Sequence, residues 1–305
     1  MGIGKSVTDQ GLHAGHHRRN CKAHHDRKQH LRNLFRNCTL SHVRAAFRNL
    51  CMTKGLSSMV RDSPLARKLS AFVCLSEPEF AVLSDLHKRR RTLKAGGDLV
   101  HQGQCGQSAY ILASGWVCSY KLLPDGTRQI VDFQIPGDFL GLRSLLFRTA
   151  DHNIEPLTTI EVSEVQASDL LAAFSASPRL ATAVLWAASR DEAMVVEHLV
   201  CIGRRTAFER TAHFLLELGA RLKLVGLATR DGYACPLSQY LLGDALGLSA
   251  VHINRVLRQL REDGLLTFQR GHVSFDDFDR LVALVGFDNG YLDHEGPLLR
   301  QAMLA

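Results

Sequence analysis

Asn254 and Arg255 sit side by side in the stretch "LSQYLLGDALGLSAVHINRVLRQLREDGLL", residues 237–266 of a chain of 305. Both are residue types that read base edges in a major groove. Arg can donate two parallel bonds to guanine O6 and N7, and Asn can bridge adenine N6 and N7. Ala250 and Val251, a turn earlier, offer small apolar surfaces suited to a thymine methyl group. Ser238, Gln239, Ser249, His252 and Arg258 are better suited to phosphate oxygens, contacts that position a helix without reading sequence.

These side chains act together only if a helix presents them on one face. The spacing predicts two short helices joined by a tight turn at "GLS". Gly243 permits close approach, Gly247 takes the left-handed conformation that ends the first helix, and Ser249 caps the second. Leu242, Ala245, Leu246, Ile253, Val256, Leu257 and Leu260 form the inward face, so Ala250, Val251, Asn254, Arg255 and Arg258 face outward, with His252 at the margin. "LLTFQRGHVSFDD" (265–277) follows as two short strands around "RGH", and "TAFERTAHFLLELGARLKLVG" (206–226) precedes as an amphipathic helix. Helix, helix-turn-helix and hairpin together predict a winged DNA-binding unit. The competing reading is a plain helical hairpin with Arg255 as a solvated charge; the conjunction of turn, cap, inward face and outward Asn-Arg favours DNA.

The net charge of +7 adds little to that argument. Residues 1–58 hold eleven Lys and Arg against two acidic residues, and the rest of the chain holds 26 against 28. The basic character belongs to an N-terminal extension rich in His, Arg and Asn, too poor in apolar surface to offset the entropy of ordering and expected to be disordered. No run of about 18–20 apolar residues suggests a membrane span, and no apolar block follows the first basic residues, so neither insertion nor secretion is expected. Eight cysteines stand without a C-x-x-C pair. That scatter suits reduced thiols in the cytoplasm better than a disulfide frame.

Upstream of the DNA-binding unit the pattern changes twice. From 63 to 87 two short helices are expected, the second opened by a capping box of Ser76 and Glu79. From 88 to 165, turn signals at "AGGD", "GQCG", "ASG", "PDG" and "PGD" separate Val-, Ile-, Tyr- and Phe-bearing runs, as in an antiparallel sandwich or barrel. After "SPRL" (177–180) the period becomes helical, with Leu185, Ala188, Val195, Leu199 and Ile202 on a seam suited to a partner helix or to the core of the same subunit.

The layout resembles the Crp/Fnr family of dimeric bacterial transcription regulators. The likeness covers about residues 63–285 and rests on "YILASGWVCSYKLLPDGTRQIVDFQIPGDFLGL" (110–142) and "LGDALGLSAVHINRVLRQLREDGLL" (242–266). It implies an α+β chain: a jelly-roll, cyclic-nucleotide-binding-like sensor domain over 63–176, a dimerisation helix over 177–203 and a winged helix-turn-helix domain over 204–285, with a tail at 286–305. It also implies a homodimer on a palindromic operator in double-stranded DNA, and contact with RNA polymerase if the protein activates.

In members that bind cyclic AMP, a Gly-Glu pair holds the ribose, an Arg-Ser pair the phosphate, and a Thr-Ser pair on the long helix the base. The matching positions here are Gly141-Leu142, His152-Asn153 and Val195-Val196. Leu removes the ribose acceptor and His removes the permanent bidentate charge, so the effector is expected not to be cyclic AMP. A collapsed pocket with no effector is the competing expectation. Oxygen-sensing members hold an iron–sulfur cluster on closely spaced N-terminal cysteines plus one in the barrel. Cys21, Cys38 and Cys51, with Cys118 further on, form no compact run. Haem ligation by His152, His198 or a cysteine, and redox chemistry at Cys74, Cys105 or Cys118, stay open, and no cofactor or metal is assigned. The family's recognition helix has Glu where Val251 stands, so altered base preference is expected beside a retained guanine contact at Arg255. No nucleophile elbow, P-loop, G-x-G-x-x-G or H-E-x-x-H is present, so catalysis is not expected. A sensor module without a DNA-binding role is the alternative function.

Overall fold

A computed structural model describes residues 58–106 and 108–292. The extension expected over 1–58, with Cys21, Cys38 and Cys51, lies outside the described residues but for its last position.

The chain enters through α1 (Ser58–Arg61) and α2 (Pro64–Phe72), whose first turn is fixed by Ser63 Oγ accepting from Ala66 N at 3.2 Å. The Ser76–Glu79 capping box opens α3 (Glu77–Leu86), with Glu79 accepting from Ser76 N at 2.7 Å. Leu65, Leu69 and Leu83 of these helices are fully buried against Ala109, Ile111 and Val165 of the following sheet.

The region rich in turn residues forms two antiparallel sheets. One has the order β1 (Arg90–Leu93), β7 (Ile160–Val165), β2 (Ala109–Ser114), β5 (Phe139–Leu140), and the other β4 (Arg128–Gln134), β3 (Val117–Leu122), β6 (Asn153–Pro156). Val100, Leu112, Val117, Leu140, Ile154 and Val162 fill the space between them. Alternation along β3 sends Val117 into this interior, while Cys118 and Tyr120 face the other way into a core shared with the C-terminal helices. The β3–β4 sheet is therefore covered on both faces, and it packs the β-rich region against the C-terminal helices.

Helix α4 (Ala167–Ala176) leads into α5 (Pro178–Arg204), 27 residues long and, at about 1.5 Å per residue, roughly 40 Å in length. Its inward line is Leu180, Ala183, Val184, Ala187, Met194 and Cys201, and Trp186 stacks on Phe72 at 4.7 Å. The seam read from the sequence points elsewhere: Leu185 is 66% and Leu199 70% exposed, Val195 is exposed, and Ala188 and Ile202 are half-buried.

Helix α6 (Ala207–Leu224) starts at a Thr206–Glu209 capping box. After it come β8 (Gly232–Ala234), α7 (Gln239–Leu246), α8 (Ala250–Glu262), β9 (Leu266–Gln269), β10 (His272–Phe275) and α9 (Phe278–Val285). Strand β8 lies in the polar segment "ATRDGYACP" (228–236) between α6 and α7. It pairs with β10, making a three-stranded sheet of order β8–β10–β9, and Tyr233 anchors it by donating to Leu215 O at 2.7 Å.

Candidate DNA interface

Helices α7 and α8 cross through a turn that only glycine allows. A Cβ on Gly243 would lie 2.5 Å from Leu248 O, and Gly247 has φ 63°, the left-handed conformation. Ser238 caps α7 by accepting from Leu241 N at 3.2 Å, and Ser249 caps α8 by accepting from His252 N at 3.2 Å. Each hydroxyl keeps its proton free to donate outward. Ile253, Val256, Leu257 and Leu260 are buried beneath α8.

The opposite face of α8 carries the residues expected to touch DNA. Val251 is 73% exposed, His252, Asn254, Arg255 and Arg258 are exposed, and Ala250 is half-buried at the N-terminus. Gln239, half-buried at the start of α7, accepts from Asn254 Nδ2 at 3.2 Å. That bond steers the Asn254 amide and gives Gln239 an orienting role that its position in the sequence does not reveal. Beyond α8 the hairpin turns on Arg270 and Gly271, both at positive φ. Asparagine, aspartate and glycine favour such turns; Arg270 adopts this conformation at some cost.

Helices α7 and α8 are clamped from behind by residues whose role here the sequence does not single out. Arg210 on α6 donates to Leu246 O at 2.6 Å and Ile202 O at 2.8 Å, satisfying terminal carbonyls of both α7 and α5. Asp244 of α7 accepts from Arg128 Nε of β4 at 2.8 Å. Ala245 O accepts from Gln129 Nε2 at 2.9 Å and from His198 Nε2 of α5 at 3.0 Å. That bond requires a proton on Nε2; burial holds the His198 pKa below the usual imidazole range, so the neutral ring supplies it.

Further in, Arg221 of α6 reaches Asp132 at 3.0 Å, Phe133 O at 2.9 Å and Asp138 at 3.1 Å, and Lys68 of α2 reaches Asp138 at 2.7 Å. Burial alone would raise the Asp138 pKa, but the two cations hold it at about 2. Three elements distant in sequence thus share one buried ion cluster.

The residues matched to a cyclic-nucleotide site fall in two places. Gly141, at φ 64°, begins the 3-10 turn Leu142–Leu145. His152 is buried with Nδ1 at 2.7 Å from Asp151 and 3.0 Å from Arg143, and Asn153 accepts from Gln102 N at 2.9 Å. Val195 and Val196 are exposed on α5, where Val195 also borders a cavity of about 10 Å³ lined by Asp132, Phe133, His198, Glu217 and Ala245. That volume holds at most one water. His198 is engaged with Ala245, and Cys118 is buried with its thiol pKa pushed up to about 12 by burial.

The sequence matches the family model of a cyclic nucleotide-binding domain over residues 90–177 and that of a Crp-like helix-turn-helix domain over 209–284. It is 31% identical over 197 residues to the nitrogen fixation regulation protein FixK of Bradyrhizobium diazoefficiens, spanning 64% of this chain and 81% of the relative. Similarity to the transcriptional activator protein FnrA of Stutzerimonas stutzeri is 28% over 212 residues, 70% of this chain and 86% of the relative. The solved structure of FixK2 from Bradyrhizobium japonicum superposes with a TM-score of 0.58 at 31% identity, over 64% of this chain and 96% of that one. The fold and the exposed α8 define a winged helix-turn-helix regulator with a cyclic-nucleotide-binding-like sensor domain. The chain belongs to the Crp/Fnr family of transcription regulators, and its function is sequence-specific DNA binding in transcriptional control.

Proposed function

We propose that the chain works as a twofold dimer that lays two copies of α8 into successive major grooves of an inverted repeat, with half-site centres about 10 bp apart. The observation that carries this reading is the pairing of an outward Asn254–Arg255 face with an apolar seam on α5 (Leu185, Ala188, Val195, Leu199, Ile202), of which Leu185, Val195 and Leu199 are exposed among the described residues and Ala188 and Ile202 are half-buried. Arg255 takes a guanine and Asn254 an adenine, with Val251 and Ala250 against thymine methyls. Ser238, Ser249, His252 and Arg258 hold phosphates, and Gln239 divides its amide between phosphate and Asn254. The sensor domain over 63–176, the dimerisation helix over 177–203 and the DNA-binding domain over 204–285 act as the working parts.

The protein is a regulator and not an enzyme, acting in the cytoplasm. Among the described residues no helix is long and apolar enough to cross a membrane. The likeness to proteins named transcriptional activators supports an activating role with contact to RNA polymerase. Its effector is not cyclic AMP. Leu142 has no ribose acceptor, and His152 is engaged with Asp151 and Arg143. Any effector pocket built from Gly141, Leu142, His152, Asn153, Val195 and Val196 lacks the ribose acceptor and the fixed cation at position 152 that cyclic AMP requires.

Footprinting tests the reading head. Arg255→Ala should cost about 1–3 kcal/mol per half-site and relax preference at one base pair, while Arg258→Ala should weaken all sequences alike and lower the salt dependence. An unchanged footprint and preference in Arg255→Ala would remove the base-reading role.

A further inference from the structure

Glu197 and Cys201 lie one helical turn apart on α5, and His213 of α6 meets them where the two helices join. One candidate ligand atom from each lies within 4.8 Å of the others. Cys201 Sγ is 3.5 Å from His213 Nδ1. A tetrahedral zinc, with Zn–S about 2.3 Å and Zn–N about 2.0–2.1 Å, sets sulfur and nitrogen roughly 3.5 Å apart, so this edge of a coordination tetrahedron is preformed.

The pocket is built rather than incidental. Cys201 is 3% and His213 1% exposed. His213 Nε2 is buried and lies 3.3 Å from Glu197 Oε1, yet it makes no hydrogen bond. The ring is oriented by the edge of Phe287 at 4.9 Å and by Tyr291 stacked at 6.2 Å.

The site is also already arranged around a positive charge. Arg205, the C-cap residue just after α5, places one guanidinium nitrogen 2.6 Å from Cys201 Sγ and another 2.6 Å from Glu197 Oε1. Its side chain is one-fifth exposed, so it can swing outward without crossing the core.

We propose that Glu197, Cys201 and His213 form a three-ligand site for a borderline divalent cation of the zinc type, with the Arg205 guanidinium as the competing occupant. The ion takes Cys201 Sγ and His213 Nδ1, the Glu197 carboxylate rotates from Nε2 to join them, and the fourth position is left to water. Binding exchanges the thiol proton, released to solvent, for the metal–sulfur bond. Two of the ligands have i, i+4 helical spacing and the third comes from the next helix, a pattern unlike any metal motif legible in the sequence. An ion here would staple α5, the seam helix, to α6, the first helix of the DNA-binding domain.

The test uses the full chain with Cys21, Cys38 and Cys51 changed to Ser, so that thiols of the N-terminal extension are silent. Cobalt(II) is titrated anaerobically and thiolate-to-cobalt charge-transfer absorption is followed, with zinc then added to displace it. One equivalent should develop the band, and Cys201→Ser should abolish it. Glu197→Gln should weaken zinc binding by at least about tenfold. Arg205→Gln should tighten it, a change in the direction that competition alone predicts. Circular dichroism of the metal-free variants checks folding; should Cys201→Ser not fold, the two surface-accessible variants at 197 and 205 decide. Absence of the band in the parent chain, its persistence in a folded Cys201→Ser, or unchanged or weaker zinc binding in Arg205→Gln would overturn the site.

Discussion

Asn254 and Arg255 illustrate what a residue type can and cannot announce. Their chemistry was legible because few side chains bridge a base edge, and their outward placement followed from the inward set Ile253, Val256, Leu257 and Leu260. The partnership of Asn254 with Gln239 was not legible: it crosses fifteen positions and depends on the angle between two helices. That angle rests on Gly243, where a Cβ would stand 2.5 Å from Leu248 O. Gly243→Ala should therefore force the turn open, destabilising the domain by about 1–3 kcal/mol, and weaken operator binding more than Arg258→Ala does. Chemical denaturation of Gly243→Ala checks the stability loss and an operator-binding titration of both variants checks the order; a Gly243→Ala variant as stable as wild type would mean the turn has slack.

Elements were legible where one period dominates. Capping boxes and the 3.6-residue pattern placed α3, α5, α6 and α8, because a helix carries its own hydrogen bonds and needs only a face to bury. Strand β8 was missed for the opposite reason. It is three residues long, and only its pairing with His272, Val273 and Ser274 makes it a strand. Arg210 was missed likewise, since the carbonyls it caps belong to two helices that the sequence does not place beside α6. The α5 seam can be tested at this scale. Leu199 is 70% exposed, and if α5 carries the proposed dimer seam, Leu199→Glu should give monomers in sedimentation, with operator affinity falling as the second half-site is lost. A variant that stays dimeric would place the interface elsewhere.

At the scale of the molecule, the sensor and the reading head are joined by charge as well as by apolar packing. Lys68, Asp132, Asp138 and Arg221 meet in the interior, and Arg128, Gln129 and His198 grip α7 from the β4 and α5 side. None of this was legible in sequence, because buried ion pairs between distant segments leave no local pattern. Glu217 sits in the same junction, accepting from Tyr291 Oη at 2.6 Å, and burial raises its pKa from 4.5 to about 7 despite Arg221 nearby. A carboxyl with a raised folded-state pKa contributes stability that is fully present below 4.5 and lost as pH rises through about 7. Thermal melts should show that loss in the wild type and a flatter profile in Glu217→Gln, with the variant melting higher at pH 8; equal slopes would contradict it. The central claim, that an exposed α8 on each half of a twofold dimer reads an inverted repeat, is tested most directly by selecting duplexes from a randomised pool with the full-length protein. The account predicts enrichment of a palindrome with half-site centres about 10 bp apart and a guanine that loses its preference in Arg255→Ala; a single asymmetric site, or a palindrome indifferent to that substitution, would contradict it.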